Sequence, residues 1–302
     1  MSDNISTIIK RAYDLHVHIG PEIIPRKYIV STLIKNELGN IAGMALKNHF
    51  FPTTPFIREV NPNRLQLFGS VTLNNFVGGL NADAVYAAST LTNTRFIVWF
   101  PTVSAKKFLT ESTWEIAPEW VQKKTFRSRK ASTVKALTVF GAKNTLSKEC
   151  IAVLKAIKET NAILATGHIS WQESYALIQE ANAIGIRTMI VTHPIYQRIA
   201  MPIAMQKKLS AMGAKIELCW SMWKIDNIPI ANIATEIKAV GAKNCILSSD
   251  SGQAYSKSPS AALKEFGDAL LQEGITKNEL ITMLITNPKK LLGIRRKEVK
   301  KQ

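Results

Sequence analysis

Eight short apolar runs recur along the chain, and each lacks the polar alternation of a half-exposed strand. Strands that are buried on both faces give this pattern, because neither face of such a strand meets water. We therefore predict eight buried strands. They cover residues 12–19, 41–49, 65–73, 95–102, 162–169, 187–194, 215–221 and 244–251.

Amphipathic segments lie between these runs and have the periodicity of helices. Most of them end at or beside a glycine, which tolerates the left-handed backbone of a helix C-cap. In six of seven cases, successive strands start 24 to 30 residues apart. This spacing suits one strand–helix unit. The clearest predicted helices cover 148–160, 173–185, 204–214, 230–242 and 260–274.

Strand and helix alternating eight times predict a (β/α)8 TIM barrel, with an open doubly wound sheet as the alternative. Neither GxGxxG nor GxxxxGK follows a predicted strand, which disfavours a nucleotide-binding form of that alternative. The seventh spacing, 67 residues, follows the fourth strand and leaves room for an insertion at about 103–140. We interpret this insertion as a lid or as a surface hairpin. The sequence thus predicts one domain, 1–302, with the insertion at 103–140 inside it.

The chain has 302 residues, 46% of them hydrophobic, and a formal net charge of +17. This charge favours anionic partners, although a solvated basic surface is the simpler explanation. Three widely spaced cysteines without a CxxC pair argue against a disulfide framework and indicate a reducing, cytoplasmic location. The amino terminus lacks the features of a signal peptide, and no apolar stretch is long enough to span a bilayer. We expect no membrane partner, and a homo-oligomer stays open.

All five histidines fall within or at the end of a predicted strand, and they are His16, His18, His49, His168 and His193. A random distribution would place most of them in helices and loops. In a TIM barrel, the carboxyl ends of the strands form the rim on which catalytic side chains collect. The placement therefore predicts a functional site at that rim.

A metal site is the simplest explanation of this placement. Residues two apart in an extended strand face the same side, so His16 and His18 point toward one place on the barrel axis. His168 and His193 end the fifth and sixth predicted strands, and Asp250 ends the eighth, beside the first. A single buried histidine is more often a hydrogen-bonded core residue. Four histidines and a carboxylate at strand ends instead suit Zn²⁺ or a similar divalent ion.

This order of residues resembles the amidohydrolase superfamily of metal-dependent hydrolases, whose pattern is H-x-H on the first strand, His on the fifth and sixth, and Asp on the eighth. The segment 286–294 also resembles the helix that closes many members, and Asn287 is expected to cap it. The fourth strand lacks the bridging Lys or Glu of binuclear members. The resemblance therefore implies one ion, with a second left open, on His16, His18, His168 and Asp250, while His193 is a ligand or a partner of the bound water.

Other polar residues near the rim are candidates for binding substrate. Glu217 lies inside an apolar run, where it would neutralise Lys47, contact a second ion, bind substrate or form a purely structural salt bridge. The insertion carries a basic run, and arginine matches a carboxylate or phosphate through paired donors. This run is equally well explained as a solvated surface. The predicted substrate-binding residues are Lys47, His49, Glu217, Arg127 and Arg129.

The resemblance implies a hydrolase in which a divalent ion activates water for attack on a small substrate, which we expect to be an anionic amide, ester, lactone or phosphoester. It implies that Asp250 takes the proton of the water and that His193 stabilises the oxyanion. We add Lys47 as a third candidate catalytic residue. Deaminases and decarboxylases of the superfamily stay open. A non-enzymatic basic protein that binds nucleic acid or another anion is the weaker alternative, because no nucleic-acid motif is recognised.

Overall fold

Parallel strands follow one another in chain order in the computed structural model, which describes residues 4–60, 64–121 and 128–294. Each strand pairs in parallel with the next, and the third is divided into two pieces. The strands are β1 (Tyr13–His18), β2 (Gly43–Lys47), β3 (Gln66–Phe68 and Ser70–Thr72), β4 (Ile97–Trp99), β5 (Ile163–Ala165), β6 (Met189–Val191), β7 (Lys215–Cys219) and β8 (Cys245–Ser248).

Contacts at two seams join the strands around a common axis. The ladder of backbone hydrogen bonds divides into a three-stranded and a six-stranded sheet. The first seam lies between β2 and the second piece of β3, where Ser70 Oγ donates to the backbone oxygen of Leu46 at 2.7 Å. The second seam lies between β1 and the segment after β8. Here Val17 forms a parallel bridge with Ser251, and the backbone N–H of His18 donates to the oxygen of Ser251 at 2.8 Å. The predicted (β/α)8 TIM barrel is confirmed.

Helices surround the strands, and those expected from periodicity lie close to their predicted positions. Their starts use local capping, as at Ser147, whose side chain accepts from the N–H of Cys150 at 3.0 Å. In the described chain, no helix is long and apolar enough to span a membrane. The α-helices are α1 (Ile5–Lys10), α2 (Val30–Glu37), α3 (Thr54–Val60), α4 (Ala82–Thr90), α5 (Lys106–Thr110), α6 (Lys148–Glu159), α7 (Trp171–Ala183), α8 (Ile203–Ala211), α9 (Trp220–Lys224), α10 (Ile230–Val240), α11 (Pro259–Gln272), α12 (Lys277–Ile281) and α13 (Asn287–Leu292).

Apolar side chains fill two separate layers. The larger layer lies between the strands and the helices. The smaller fills the inside of the barrel and includes Leu15, Ile97, Ile163, Ile190 and Ile246, all buried. Burying such a side chain contributes about 1.5 to 3 kcal/mol. The lower part of the barrel is therefore a packed core, and the buried histidines lie toward its carboxyl end.

Helix α13 closes the amino-terminal end of the barrel, with Leu291 and Leu292 packed on the interior layer. The expectation that Asn287 caps this helix is wrong. A π-helical turn, Thr282–Thr286, runs directly into α13, so the helix has no free amino end to cap. Asn287 instead donates its side-chain amide to the backbone oxygen of Cys245 at 2.7 Å. It thereby ties the helix to the start of β8.

The insertion after β4 packs against the carboxyl end of the barrel. It contains α5 and two short 3₁₀ turns, Pro118–Trp120 and Ala131–Thr133. Arg198, which follows β6, donates to Ser112 Oγ at 2.6 Å and lies over the ring of Phe108, 4.3 Å from its centroid. These contacts fasten the described part of the insertion to the neighbouring loop.

Candidate metal centre

The predicted ligands lie at the carboxyl end of the barrel, but several stand beyond the ends of the strands. His16 and His18 belong to β1. His168, His193 and Asp250 follow their strands by two or three residues, because β5, β6 and β8 end earlier than predicted. The loops rather than the strands therefore set the positions of three of the five residues.

Ligand atoms from three elements converge on one place. The Nε2 atoms of His16 and His18 lie 3.2 Å and 3.0 Å from Asp250 Oδ1. His16, His193 and Asp250 each offer a ligand atom within 4.8 Å of the other two. The ring of His168 lies 5.0 Å from that of His193, centroid to centroid, at the edge of this group. All five predicted ligands thus lie in one cluster, with His193 grouped with His16 and Asp250 and His168 at its edge.

Backbone strain marks two of these residues. His193 has a φ of 22° and Asp250 a φ of 50°. Positive φ is uncommon for residues other than glycine and costs about 1 to 3 kcal/mol. Such strain persists only where the surrounding structure imposes it, and here it turns both side chains toward the cluster.

Two glycines allow the chain to approach the cluster closely. A Cβ atom on Gly252 would lie 2.2 Å from the backbone oxygen of His18. A Cβ on Gly167 would lie 2.2 Å from the backbone oxygen of Phe100. Both glycines have positive φ, so a larger side chain would be excluded by strain as well as by space. They place Asp250 and His168 against their neighbours.

Glu217 orients the imidazole of His16. Its Oε2 lies 3.2 Å from His16 Nδ1, and both side chains are fully buried. Burial alone would raise the pKa of Glu217, but the adjacent His16 holds it below its ordinary value. The carboxylate therefore accepts the Nδ1–H of His16, and Nε2 is the nitrogen directed at the cluster. Metal-binding histidines usually have such a partner on the second nitrogen.

Lys47 packs against the same histidine. Its Nζ lies 2.9 Å from His16 Nε2 and 4.2 Å from the centroid of the Trp99 ring. Burial lowers the pKa of Lys47 to about 8. Trp99 occupies the fourth strand, where the sequence offers no bridging ligand, and its ring lies 4.5 Å from the ring of His16. A cationic group and an indole thus take up the space beside His16.

The electrostatics of the cluster suit a divalent cation. Burial lowers the pKa of His18, His49 and His168 well below the ordinary value, and that of His193 to about 4. These imidazoles are neutral at pH 7 and can act as ligands. Within the described chain, Nδ1 of His18, His168 and His193 has no hydrogen-bond partner. Unpartnered buried nitrogens are costly, and binding of a cation and substrate would reduce that cost.

Asp250 supplies the negative charge. Burial acts to raise its pKa, but the adjacent His16 and the hydrogen bond from His18 hold the pKa well below its ordinary value. Ser221 Oγ donates to Asp250 Oδ2 at 2.7 Å. Asp250 is therefore ionised, with one oxygen held by Ser221 and the other directed at the histidines. The residues present fit a divalent metal of the Zn²⁺ type.

A cavity of about 400 Å³ opens above the cluster. The insertion contributes Val103, Phe108, Glu119 and Trp120 to its wall. A cleft of about 670 Å³ lies at the other end of the barrel, but its described lining contains no His, Cys, Asp or Glu. The smaller cavity is therefore the candidate active site.

The predicted substrate-binding residues take different positions. His49 lines the cavity, and its Nδ1 lies 2.9 Å from Thr102 Oγ1. Lys47 and Glu217 lie beneath the cavity wall, against His16. Arg129 forms a bidentate pair with Glu115 and is absent from the described cavity lining. Arg127 lies outside the described residues.

Sequence patterns did not single out several residues of the site. Ser221 and Trp99 lie in apolar runs, and Arg26 and Asp226 lie in loops without a recognisable motif. Asp14 is a further example, since its Oδ1 accepts from the backbone N–H groups of His16 and Ser249 at 3.1 Å each. Only Asp14 could have been recognised from the sequence, because its carboxylate lies two residues before the H-x-H motif.

Solved structures share this fold at low sequence identity. An amidohydrolase from Pseudomonas aeruginosa is 8% identical with a TM-score of 0.60, over 95% of this chain and 98% of that one. YJJV, a TatD homolog from Escherichia coli K12, is 12% identical with a TM-score of 0.57, over 97% and 100%. A probable 2-pyrone-4,6-dicarboxylic acid hydrolase from Acinetobacter baumannii, with citric acid bound, is 12% identical with a TM-score of 0.55, over 94% and 99%. The fold implied by the resemblance is confirmed.

Sequence comparison assigns the family. No curated protein gives a significant match to the chain. The model described as "Family of unknown function (DUF6282)" matches residues 11–217, more than half of the chain. The matched region begins just before β1 and ends within β7, so it contains all five histidines of the chain and Glu217. The chain therefore belongs to the family of unknown function DUF6282.

Proposed function

We propose that this protein is a metal-dependent hydrolase that acts on a small molecule with an amide, ester, lactone or phosphoester bond. The convergence of His16, His193 and Asp250, whose ligand atoms lie within 4.8 Å of one another, carries the proposal. Neutral imidazoles beside an ionised carboxylate are the donor set of catalytic zinc sites. The shared fold with an amidohydrolase and a probable 2-pyrone-4,6-dicarboxylic acid hydrolase supports this class of reaction by analogy.

His16, His18, His193 and Asp250 would hold the ion, with His168 as a further ligand or a contact of the substrate. When bound, the ion would supply an acidic water and a Lewis acid that polarises the scissile bond. Glu217 keeps His16 in the tautomer that presents Nε2. His193 has one of two roles: it binds the ion, or its neutral imidazole donates a hydrogen bond to the oxygen on which charge develops.

Asp250 is the proposed general base. It is ionised, and Ser221 fixes one of its oxygens. It would accept a proton from the attacking water and deliver that proton to the leaving group. The strained backbone at Asp250 holds the carboxylate in place, so little reorganisation is needed during the reaction.

We further propose a single ion, most simply Zn²⁺. The fourth strand presents Trp99, whose ring lies beside that of His16, rather than a bridging ligand. The buried His16, Glu217 and Cys219 offer ligand atoms close together, but burial raises the pKa of the Cys219 thiol well above its ordinary value. That thiol is therefore protonated in the metal-free protein.

The remaining parts of the proposal concern access and location. The insertion would act as a lid, because its described residues form part of the cavity wall and Arg198 fastens it to the loop after β6. The cavity volume of about 400 Å³ suits a small-molecule substrate. The three cysteines are free and buried, which is in keeping with the cytoplasm.

Elemental analysis of the full chain, purified without chelator, tests the metal. We expect about one divalent ion per chain in the wild type and a large loss of metal in His16→Ala. Leu291→Ala is the matched control, because it removes a buried side chain of the barrel interior far from the ligands. Metal at background level in the wild type, or equal metal content in both variants, would contradict the site.

Activity is tested with a panel of esters, lactones, amides and phosphoesters. We expect hydrolysis that disappears when a chelator removes the metal and returns when Zn²⁺ is added. Turnover that survives both the chelator and His16→Ala would exclude the proposed role of the ion. Two ions per chain would contradict the proposed stoichiometry alone.

A further inference from the structure

We propose that Arg26 binds a carboxylate group of the substrate, so that the protein acts on small carboxylic acids. The inference rests on the proposed function, since it names the substrate class of the same cavity. The sequence predicts anion recognition at Lys47 and, in the insertion, at Arg127 and Arg129. The structure places a different arginine at the cluster.

Arg26 lies in the loop between β1 and α2, which is fastened to the loop after β8. Arg26 forms an antiparallel bridge with Gln253. The next residue, Lys27, donates its backbone N–H to Gly252 at 2.9 Å and its Nζ to the oxygen of Ser256 at 2.7 Å. The backbone of Arg26 is thus held against the loop after β8, two or three residues from Asp250 in that loop.

The side chain of Arg26 is equally well fixed. Its exposed fraction is 4%, and that of its partner Glu22 is 0%. Arg26 Nε donates to Glu22 Oε1 at 2.6 Å, and Nη2 pairs with the same oxygen. Glu22 Oε2 in turn accepts the backbone N–H of His49 at 3.2 Å. The guanidinium is therefore oriented before any ligand arrives, which reduces the entropy cost of binding.

Donors remain available on this guanidinium. It carries five N–H groups. Glu22 engages Nε and Nη2, and no other hydrogen bond from the Arg26 side chain is formed among the described residues. Arg26 lines the cavity together with His18, His49 and Asp250. A planar fork with free donors matches the geometry of a carboxylate.

Arg26 is also distinguished by charge. It is the one Lys or Arg among the described residues that line the cavity. Arg129 has a similar glutamate partner, but its side chain is 56% exposed. A buried ion pair gives little net stability compared with apolar residues, so its place in the wall of an active site favours a role in recognition.

Calorimetric titration tests the proposal on the full chain, both metal-loaded and metal-depleted. The probes are succinate, glutarate and citrate, with succinamide and glutaramide as neutral analogues and inorganic phosphate as a second anion. We expect the wild type to bind at least one carboxylic acid more tightly than its amide or phosphate. Arg26→Gln should weaken that binding by about ten- to a hundredfold. Arg187→Gln, at an exposed arginine outside the cavity, should leave it unchanged.

A second variant guards against misfolding. Arg26→Gln leaves Glu22 buried without its partner, whereas Glu22→Gln/Arg26→Gln removes both charges and keeps the shape. A thermal melt of the double variant shows whether it is folded. Wild-type affinity for the acids in the folded double variant would overturn the proposal. Weaker binding in Arg129→Gln but not in Arg26→Gln would also overturn it. So would a wild type that binds the acids no more tightly than it binds their amides or inorganic phosphate.

The two proposals can fail separately. Arg26-dependent binding of acids by metal-depleted protein, together with an absence of metal-dependent turnover, would refute the hydrolase and support the carboxylate site. Metal-dependent hydrolysis of neutral substrates that is unaffected by Arg26→Gln would support the hydrolase and refute the carboxylate site.

Discussion

The two ends of the barrel are built from the same strands but with opposite chemistry. At the amino-terminal end, α13 packs Leu291 and Leu292 on an apolar interior. At the carboxyl end, buried histidines, carboxylates and Lys47 face one another, and His193 and Asp250 have strained backbones. The packed end provides stability, and the polar end can therefore tolerate strain and unpartnered nitrogens. We expect substitutions at the two ends to have separable effects on stability and on chemistry.

Asp250→Asn tests the polar end most strongly. The amide cannot accept the proton of the water, so turnover should fall by about a hundred- to ten-thousandfold. The histidines should retain most of the metal, and thermal stability should change little. Steady-state kinetics, elemental analysis and a thermal melt measure the three quantities. Metal loss equal to that of His16→Ala would mean that Asp250 is chiefly a ligand and that the base lies elsewhere.

Leu291→Ala tests the packed end. It leaves a void in the interior layer and should lower the free energy of unfolding by about 2 to 5 kcal/mol. Metal content and turnover of the folded fraction should match the wild type. Denaturant unfolding gives the stability, and Lys290→Ala, at an exposed position of the same helix, is the control. A change in metal content would show that the two ends are coupled.

Ser221→Ala removes one contact from the polar end without removing a charge. Ser221 donates to Asp250 Oδ2 at 2.7 Å, so its loss should leave the carboxylate less well oriented. We expect kcat to fall by about tenfold at nearly constant KM and constant metal content. An unchanged kcat would show that the strained backbone alone holds Asp250.

Asp226→Asn should have the smallest effect and should depend on pH. Burial, with a contribution from the charge of Asp250, raises the pKa of Asp226 from 3.8 to about 6 in the folded protein. Ionisation of Asp226 therefore opposes folding above pH 6 and not below pH 3.8. The variant should melt at a higher temperature than the wild type at pH 7.5, and the difference should shrink as the pH falls from 6 toward 4. Thermal melts of the metal-depleted wild type and variant, at pH 7.5 and at pH 4, measure the difference in melting temperature. A difference that grows at low pH would contradict this assignment.

Local sequence patterns were sufficient for the strands, the main helices and the candidate ligands. Apolar runs and helical periodicity depend on neighbouring residues, so the strand at 12–19 and the helix at 148–160 were predicted within a few residues of β1 and α6. The H-x-H motif depends on the two-residue repeat of a strand. The strand ends were less accurate, because left-handed residues such as His193 end the extended backbone without a sequence signal.

Tertiary structure alone decided which polar side chains meet. Glu217 and His16 are 201 residues apart in the chain, and the contact depends on closure of the barrel. The loop after β1 brings Arg26 and its partner Glu22 to the cavity, whereas Arg129 remains with Glu115 in the insertion. The order of strands and helices and the residue types of the candidate ligands could be predicted from the sequence, because they depend on local periodicity and residue chemistry. Contacts between distant loops depend on the packing of the whole barrel, and only the folded structure could determine them.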